Sequence, residues 1–370
     1  MRDVVGDVRP GYERVADVFA KLLAEDGDYG AQVAAYVEGE LVVDLASSST
    51  DELRPVFSST KGILGVVVAL LVERGLLDLD APVASLWPEF AAGGKQTITI
   101  RQLLSHQAGL VTVDGGYDTA LVMDHDALAA RLAAQVPLWR PGATHGYHAL
   151  TLGTLGEELA RRVTGRSVAD LYTQEIGRPR GLALHLGSPV PQGVQGVDLP
   201  TAADLAAWAT NAPTGPQPDS LLPLLEPVGG PPLFALVPDP AFQATGQSAS
   251  AAVGSASGLA GLYAGLRHSL NGAPRLLSEA TLAQCTQLQV RGEDHVIGRE
   301  SRYGIVFELP SPALRFGTPR AFGHGGMGGS VAFCDPGHEL GFGYVPHRMP
   351  GPSGGERALA LVQAVRDCGA

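Results

Sequence analysis

Residues 58 to 75 of the chain read Ser-Ser-Thr-Lys-Gly-Ile-Leu-Gly-Val-Val-Val-Ala-Leu-Leu-Val-Glu-Arg-Gly. The apolar run within this stretch extends from Gly62 to Val72, and Gly75 follows shortly after it. Glycine is common just beyond the last turn of a helix, so the stretch predicts one long helix that ends at Gly75. The run is well short of the roughly 20 apolar residues that cross a bilayer, which indicates a helix buried in a protein core.

The start of this helix places a hydroxyl near an amine. Ser58 and Lys61 are three positions apart and therefore share one helix face. A serine becomes an effective nucleophile when a base takes its proton, and burial among apolar neighbours lowers the pKa of a lysine toward that role. This pair alone has two interpretations, because Ser58 also suits the role of a helix N-cap beside a solvated Lys61.

Composition limits the classes of function. The chain has 370 residues, of which 45% are apolar and 17% are charged, so it contains enough apolar material for a large core. Its net charge is −12, without runs of like charge, and such a surface repels nucleic acids and anionic lipids. We therefore expect neither a nucleic-acid partner nor a membrane partner, and the oligomeric state is not specified by the sequence.

The three cysteines, at 285, 334 and 368, have no Cys-x-x-Cys spacing, which argues against a disulfide framework and a structural zinc site. Residues 323–328 match the letters of a dinucleotide-binding fingerprint, but a strand pattern follows them where that motif requires a helix. The N-terminus lacks the apolar segment of a secretory signal. These features predict a cytoplasmic protein with free thiols, no metal and no cofactor.

Strand patterns occur at both ends of the chain. A hairpin is predicted from Ala31 to Val37 and Leu41 to Ala46, and further strands are predicted at Tyr303–Leu309, Ser330–Cys334 and Leu340–Val345, before a last helix at Glu356–Arg366. Helical patterns dominate between the two ends. The expected fold is therefore α/β (α+β), with an antiparallel sheet formed by N- and C-terminal strands, flanked by helices and interrupted by an inserted all-helical lobe.

This organisation predicts two lobes, a discontinuous α/β lobe of residues 1–75 and 255–370 and a helical lobe of residues 76–254. Helices are predicted in the second lobe at Thr99–His106, Asp126–Gln135, Leu150–Thr164 and Ala202–Thr210. Prolines and glycines crowd the segment from Ala212 to Pro240, which disfavours regular structure there. Its many leucines favour a cover over a functional site, at about residues 212–245, rather than a solvated linker.

Two other segments contain candidate functional groups. Tyr147 follows a Pro-Gly turn and precedes an apolar helix, so its phenol is placed to project into a cleft. His324 lies in the glycine-rich segment from Phe322 to Ser330, where a substrate can approach the backbone closely. Taken singly, Tyr147 also fits a packed aromatic residue and His324 a turn residue.

Taken together and in this order, the segments resemble the active-site elements of the penicillin-recognising serine hydrolases, which include class C β-lactamases, DD-peptidases and family VIII carboxylesterases. Ser58-Ser59-Thr60-Lys61 matches the family's Ser-x-x-Lys element, Tyr147-His148-Ala149 its Tyr-x-Asn element, and His324-Gly325-Gly326 its Lys-Thr-Gly element. The stretches at residues 75–83 and 98–110 are also similar to the family, so the resemblance covers nearly the whole chain.

The resemblance implies an acyl-enzyme formed on Ser58, with Lys61 and Tyr147 sharing the proton transfers. It leaves open which of the two is the first base, and the Lys61 charge is expected to lower the pKa of Tyr147. The backbone N–H groups of Ser58 and Met327 would form the oxyanion hole. The expected substrate-binding residues are His324, Gly325, Gly326, His148 and Ala149.

Two departures from the family pattern bear on the substrate. Ala149 replaces an asparagine amide, and His324 replaces a permanently charged lysine, which weakens binding of a substrate carboxylate. Both point away from penicillins and toward a small-molecule ester, hence a serine carboxylesterase for short or medium acyl chains. The alternatives are an acyltransferase that uses the same acyl-enzyme, a weak β-lactamase or DD-peptidase, and a catalytically silent binding module with this fold.

Overall fold

The structure is a computed structural model that describes residues 3–201, 203–204, 221–312, 314–349 and 355–368. Its strands are β1 (Val5–Val8), β2 (Ala31–Val37), β3 (Glu40–Ala46), β4 (Arg54–Pro55), β5 (Leu184–His185), β6 (Val253–Gly254), β7 (Val290–Glu293), β8 (Glu300–Tyr303), β9 (Phe322–Gly325), β10 (Val331–Asp335) and β11 (Leu340–Pro346). Six of them form one antiparallel sheet in the order β1-β3-β2-β11-β10-β9.

The α-helices are α1 (Glu13–Glu25), α2 (Lys61–Glu73), α3 (Ile100–Leu104), α4 (Thr119–Met123), α5 (His125–Ala134), α6 (Thr151–Thr164), α7 (Val168–Leu171), α8 (Leu233–Leu236), α9 (Pro240–Ala244), α10 (Ala256–Ala264), α11 (Glu279–Thr286) and α12 (Gly355–Cys368). Short 3₁₀ segments include Phe57–Thr60, Val83–Ser85, Pro88–Gly94, Arg178–Arg180 and Leu222–Leu225. The predicted long helices are therefore present, with ends that differ by a few residues.

The two ends of the chain meet in the middle of the sheet. Strand β2 pairs with β11 in antiparallel register, from Ala31 opposite Pro346 to Val37 opposite Leu340. This pairing confirms the predicted fold class, a mixed α/β protein whose antiparallel sheet is built from N- and C-terminal strands. The segment between them carries most of the helices.

Helices cover both faces of the sheet. On one face, α1 buries Val15, Phe19 and Leu23 in a cluster that also contains α12. On the other face, α10 lies so close to β11 that a Cβ added at Gly343 would be 2.1 Å from the carbonyl oxygen of Ala256. Glycine at this position therefore lets the helix and the strand approach each other closely.

Helix α2 runs through the core next to α6 and α10. All of its residues from Lys61 to Leu71 are buried, which is the behaviour expected of a helix that is apolar on every side. Among the described residues, no helix is long and apolar enough to cross a membrane. The three cysteines are unpaired.

One predicted strand is wrong, and several strands were not predicted, β9 among them. The chain leaves the strand conformation after Tyr303, and the amides of Ile305 and Val306 bind the carbonyls of Cys285 and Leu104 in the helical part instead of a neighbouring strand. The beginning of the glycine-rich segment forms β9 and pairs with β10. Backbone hydrogen bonds to residues distant in sequence explain the loss of the predicted strand and the presence of β9. The local residue pattern contains no information about such bonds.

The covering segment is more regular than its prolines suggested. Its part from residue 212 to 220, and most of the predicted helix at Ala202–Thr210, lie outside the described residues. From residue 221 onward the chain forms a 3₁₀ turn and the helices α8 and α9, because Pro223 and Pro240 occupy first-turn positions where the missing N–H costs little. The inserted segment is also not entirely helical, since β6 pairs with β5 on one side and with β4 on the other.

Candidate active site

Ser58 lies in a short 3₁₀ turn that leads directly into α2. The residue before it, Phe57, has a φ of 50°, a strained backbone conformation for a residue with a side chain. The Nζ atom of Lys61 donates a hydrogen bond to Ser58 Oγ at 3.3 Å. The N-cap interpretation is wrong, because Thr60 holds that position in α2 and Lys61 is fully buried rather than solvated.

Two backbone carbonyls hold the Lys61 amine in place. Its Nζ donates to the oxygen of Ala149 at 2.7 Å and to that of Ala249 at 3.1 Å. Desolvation lowers the pKa of Lys61 to about 7, although the nearby charge of Glu308 acts in the opposite direction. As the ammonium, Lys61 donates to all three oxygens; as the neutral amine it keeps two N–H donors for the carbonyls, and its lone pair is left to accept the Ser58 proton. This arrangement suits a general base.

Tyr147 lies on the other side of the amine. Its ring centroid is 4.8 Å from Lys61 Nζ, and both Tyr147 and Ser58 line one cavity. Burial raises the pKa of Tyr147 and the charge of Glu308 raises it further, while a hydrogen bond with Ser58 opposes the rise. The predicted lowering of this pKa is therefore wrong, because desolvation of the phenol outweighs any nearby cation. Tyr147 keeps its proton at neutral pH and suits a proton donor.

A buried carboxylate fixes the loop that carries Tyr147. Asp294 Oδ1 accepts the backbone N–H of Tyr147 at 3.0 Å, and Oδ2 accepts the hydroxyls of Ser301 at 3.1 Å and Tyr303 at 3.3 Å. The Tyr303 ring is also stacked on the Tyr147 ring, with centroids 6.4 Å apart. The sequence analysis missed Asp294, since nothing in its neighbourhood along the chain marks it as a partner of Tyr147.

We expect Asp294→Ala to lower kcat by a factor on the order of 10², because the Tyr147 loop loses its anchor and a misplaced proton donor is costly. Asp294→Asn should lose less, since its amide oxygen still accepts the Tyr147 N–H. Steady-state kinetics of both variants would check this, with circular dichroism to verify folding. A folded Asp294→Ala variant with normal kcat would contradict the anchoring role.

The predicted oxyanion hole includes Met327, which lies in the turn between β9 and β10. In the turn between β9 and β10, the Gly326 N–H binds the oxygen of Ser330 and the Gly329 N–H binds the oxygen of Gly326, each at 2.8 Å. These bonds do not involve the N–H of Met327, and Met327 lines the cavity together with Ser58. The oxyanion hole formed by the N–H groups of Ser58 and Met327 therefore stays a prediction.

The segment His324-Gly325-Gly326 divides between the cavity and the core. Gly325 and Gly326 line the cavity, as expected for substrate-binding residues. The His324 side chain is buried and is not part of the lining, with Nδ1 at 2.7 Å from the Gly325 oxygen and 3.4 Å from a Glu308 oxygen. Burial lowers the pKa of His324, so the ring is neutral. Its predicted contact with substrate is wrong, because the side chain points into the protein behind Tyr147.

His148 and Ala149 also differ from expectation. Ala149 lines the cavity, but its functional group is the carbonyl that binds Lys61. His148 is fully buried, with Nε2 accepting the N–H of Leu110 at 2.9 Å and Nδ1 at 2.7 Å from the oxygen of Gly146. Burial lowers the pKa of His148 to about 4. The predicted substrate-binding role of His148 is wrong, since both ring nitrogens brace the loop before Tyr147.

The cavity has a volume of about 450 Å³ and is mostly apolar. The covering segment contributes one apolar wall and α12 contributes another; their lining residues are Leu222, Leu225, Leu233 and Val237 from the cover, and Ala358, Leu359 and Val362 from the helix. Polar lining residues that the sequence analysis missed are Ser250, Arg299, Glu308 and Arg315. Glu308 is engaged already, because one of its oxygens accepts the Gly325 N–H at 2.8 Å.

Comparison with known proteins identifies the family of the chain. The model of the family described as Beta-lactamase matches residues 15–366. The protein named Esterase/beta-lactamase LipL, from Mycobacterium tuberculosis, is 32% identical over 377 aligned residues, which cover 95% of this chain and 84% of LipL.

Two solved structures are similar over nearly their full length. The structure of EstA from Arthrobacter nitroguajacolicus Rue61a is 39% identical with a TM-score of 0.88, and the match covers 98% of this chain and 97% of EstA. A structure described as a family VIII carboxylesterase is 33% identical with a TM-score of 0.87, and the match covers 99% of this chain and all of that one, 100%. The chain belongs to the beta-lactamase family.

Proposed function

We propose that this protein is a serine carboxylesterase that hydrolyses short or medium acyl esters through an acyl-enzyme on Ser58. The observation that carries the proposal is the Lys61 amine, buried 3.3 Å from Ser58 Oγ and with its other donors bound to carbonyls. An amine held in this way takes the serine proton as the hydroxyl attacks. The hydrolase family and the esterase-named relatives support the reaction class.

The proposed reaction has two halves. In the first, Ser58 Oγ attacks the ester carbonyl while Lys61 accepts its proton, and the N–H groups of Ser58 and Met327 stabilise the oxyanion. Tyr147 then gives its proton to the departing alkoxide and is reprotonated by the Lys61 ammonium. In the second half, water attacks the acyl-enzyme with the proton transfers reversed, so the acid is released and Ser58 regains its proton.

The cavity lining supports an ester with apolar parts. Leucines of the covering segment line the same cavity as Ser58, and apolar lining of this kind binds alkyl chains by removing them from water. Position 324 has a buried histidine where the family's Lys-Thr-Gly element has a lysine. The cation that would bind a substrate carboxylate at this element is therefore missing. The preferred substrates of the proposal are therefore esters rather than penicillins.

A panel of p-nitrophenyl esters of increasing acyl length, run beside nitrocefin, tests the proposed function. We expect ester turnover with an optimum at short or medium chains. The relative LipL is named an esterase/beta-lactamase, so slow nitrocefin turnover is the second candidate activity. Product analysis with an added alcohol separates hydrolysis from acyl transfer. Failure to hydrolyse any ester would overturn the proposal.

Replacing Tyr147 by phenylalanine removes only the phenol oxygen. We expect kcat/KM for p-nitrophenyl esters to fall by about 10²–10⁴, as is typical when a proton-transfer partner is lost. The loss should be larger for alkyl esters than for p-nitrophenyl esters, because a poor leaving group depends more on protonation. Near-normal turnover of an alkyl ester by Tyr147→Phe would exclude the proton-donor role.

A further inference from the structure

Two arginines line the same cavity as Ser58. Arg299 precedes β8 and Arg315 lies in the connection between β8 and β9, and both are exposed. Within the described part of the chain, neither guanidinium forms an ion pair. The chain as a whole carries a net charge of −12, whereas these two lining residues are cationic.

The structure holds the Arg299 backbone in a defined place. The N–H of Asp294 donates to the Arg299 carbonyl oxygen at 3.0 Å, and the N–H of Gly298 donates to the Asp294 oxygen at 2.8 Å. The side chain of the same Asp294 anchors Tyr147. One turn therefore fixes both Arg299 and the proposed proton donor, and the Arg299 charge acts on the Tyr147 phenol in the direction that lowers its pKa.

The remaining charges of the cavity leave the arginines available. Among the described lining residues Glu308 is the one carboxylate, and its Oε2 already accepts the Gly325 N–H and lies 3.4 Å from His324 Nδ1. Apolar side chains, those of Ile297 and Leu314, lie close to the arginines along the chain and line the cavity with them. A substrate whose acyl chain ends in a carboxylate would place its alkyl part against the apolar side chains and its anionic end near the arginines.

We propose that Arg299 and Arg315 bind a carboxylate of the substrate, so that the preferred esters are hemiesters of dicarboxylic acids. This inference rests on the proposed esterase activity at Ser58. A guanidinium binds a carboxylate through paired N–H donors. The cation that the family pattern places at position 324 is thus replaced by arginines from two other segments.

Two substrates of equal length test this inference. Mono-p-nitrophenyl adipate and p-nitrophenyl hexanoate have six-carbon acyl chains that end in a carboxylate and a methyl group. The measured quantity is kcat/KM for the adipate ester divided by kcat/KM for the hexanoate ester. We expect Arg299→Gln to lower this ratio on the order of 10-fold, mainly because KM for the adipate ester rises. Arg315→Gln should lower the same ratio, and the double variant should lower it most.

Arg291→Gln is the matched control, because Arg291 is exposed on the neighbouring β7, does not line the cavity and carries the same charge. Its adipate-to-hexanoate ratio should equal that of the wild type. An unchanged ratio in the Arg299→Gln, Arg315→Gln double variant, or an equal drop in Arg291→Gln, would overturn the carboxylate site. Failure of the proposed esterase is distinguishable, since the wild type would then not hydrolyse hexanoate either.

Discussion

Ser58→Ala is expected to reduce ester hydrolysis to the rate of the buffer, a loss on the order of 10⁴-fold or more. The alanine removes the atom that becomes acylated, so Lys61 and Tyr147 have no nucleophile to serve and their contributions disappear with it. The measurement is kcat/KM for a p-nitrophenyl ester, together with intact-mass analysis after treatment with a fluorophosphonate. Wild type should gain one phosphonyl group and Ser58→Ala none.

Ser59→Ala is the matched control for this prediction. Its hydroxyl is adjacent in sequence but buried, 2.9 Å from Ser330 Oγ and 3.3 Å from the His324 carbonyl oxygen, and it does not line the cavity. The Ser59→Ala variant should still be labelled by the fluorophosphonate. Labelling that persists in Ser58→Ala would mean that another residue is the nucleophile, and it would also rule out the proposed acyl-enzyme.

The sequence predicts the Ser58–Lys61 pair because local helix geometry determines the contact between them. Ser58 and Lys61 are three residues apart at the start of a helix, so their contact follows from helix geometry once the helix is recognised. The central strands are predictable for a similar reason, because β-rich segments at both chain ends indicate strands from local composition. The pairing of β2 with β11 satisfies the backbone hydrogen-bonding groups along the edges of both strands.

The groups that tune the site are not predictable in this way. The carbonyls of Ala149 and Ala249 approach Lys61 from positions 88 and 188 residues away along the chain, and a backbone carbonyl has no sequence signature. Asp294 reaches Tyr147 over a separation of 147 residues. Only the tertiary structure shows these contacts, so the lowered pKa of Lys61 was anticipated in direction but its hydrogen-bond partners were not.

The two histidines show why residue type alone misleads. His148 and His324 occupy positions where the family pattern has functional side chains or their neighbours, and that placement suggested contact with substrate. In the structure the apolar surroundings bury both rings, and burial favours the neutral form of an imidazole. A neutral, buried ring serves packing and hydrogen bonding, so the cationic function of this part of the site is taken over by other residues.

The second large effect is expected for Lys61→Met, which should lower kcat/KM for esters by about 10²–10⁴ because the serine loses its base. Methionine keeps the length and burial of the side chain without an amine. In the wild type, kcat/KM should rise with pH and level off above about 7, since the ammonium form below this pKa cannot accept the Ser58 proton. The Met variant should lack this rise, and pH-rate profiles of both proteins measure it.

Lys61→Arg distinguishes a base from a fixed positive charge. A guanidinium remains charged throughout this pH range and accepts no proton, so Lys61→Arg should be as inactive as Lys61→Met. Folding stability gives an independent readout. The pKa of Lys61 is lowered from 10.5 to about 7 in the folded chain, so the unfolded chain binds more protons between these two pH values. The free energy of unfolding of the wild type therefore increases as the pH rises from about 7 to 10.5. Lys61→Met removes this gain. An active Lys61→Arg enzyme would show that Lys61 supplies charge and that another group takes the proton. A wild-type rate profile with its midpoint near 10 would contradict the lowered pKa of Lys61.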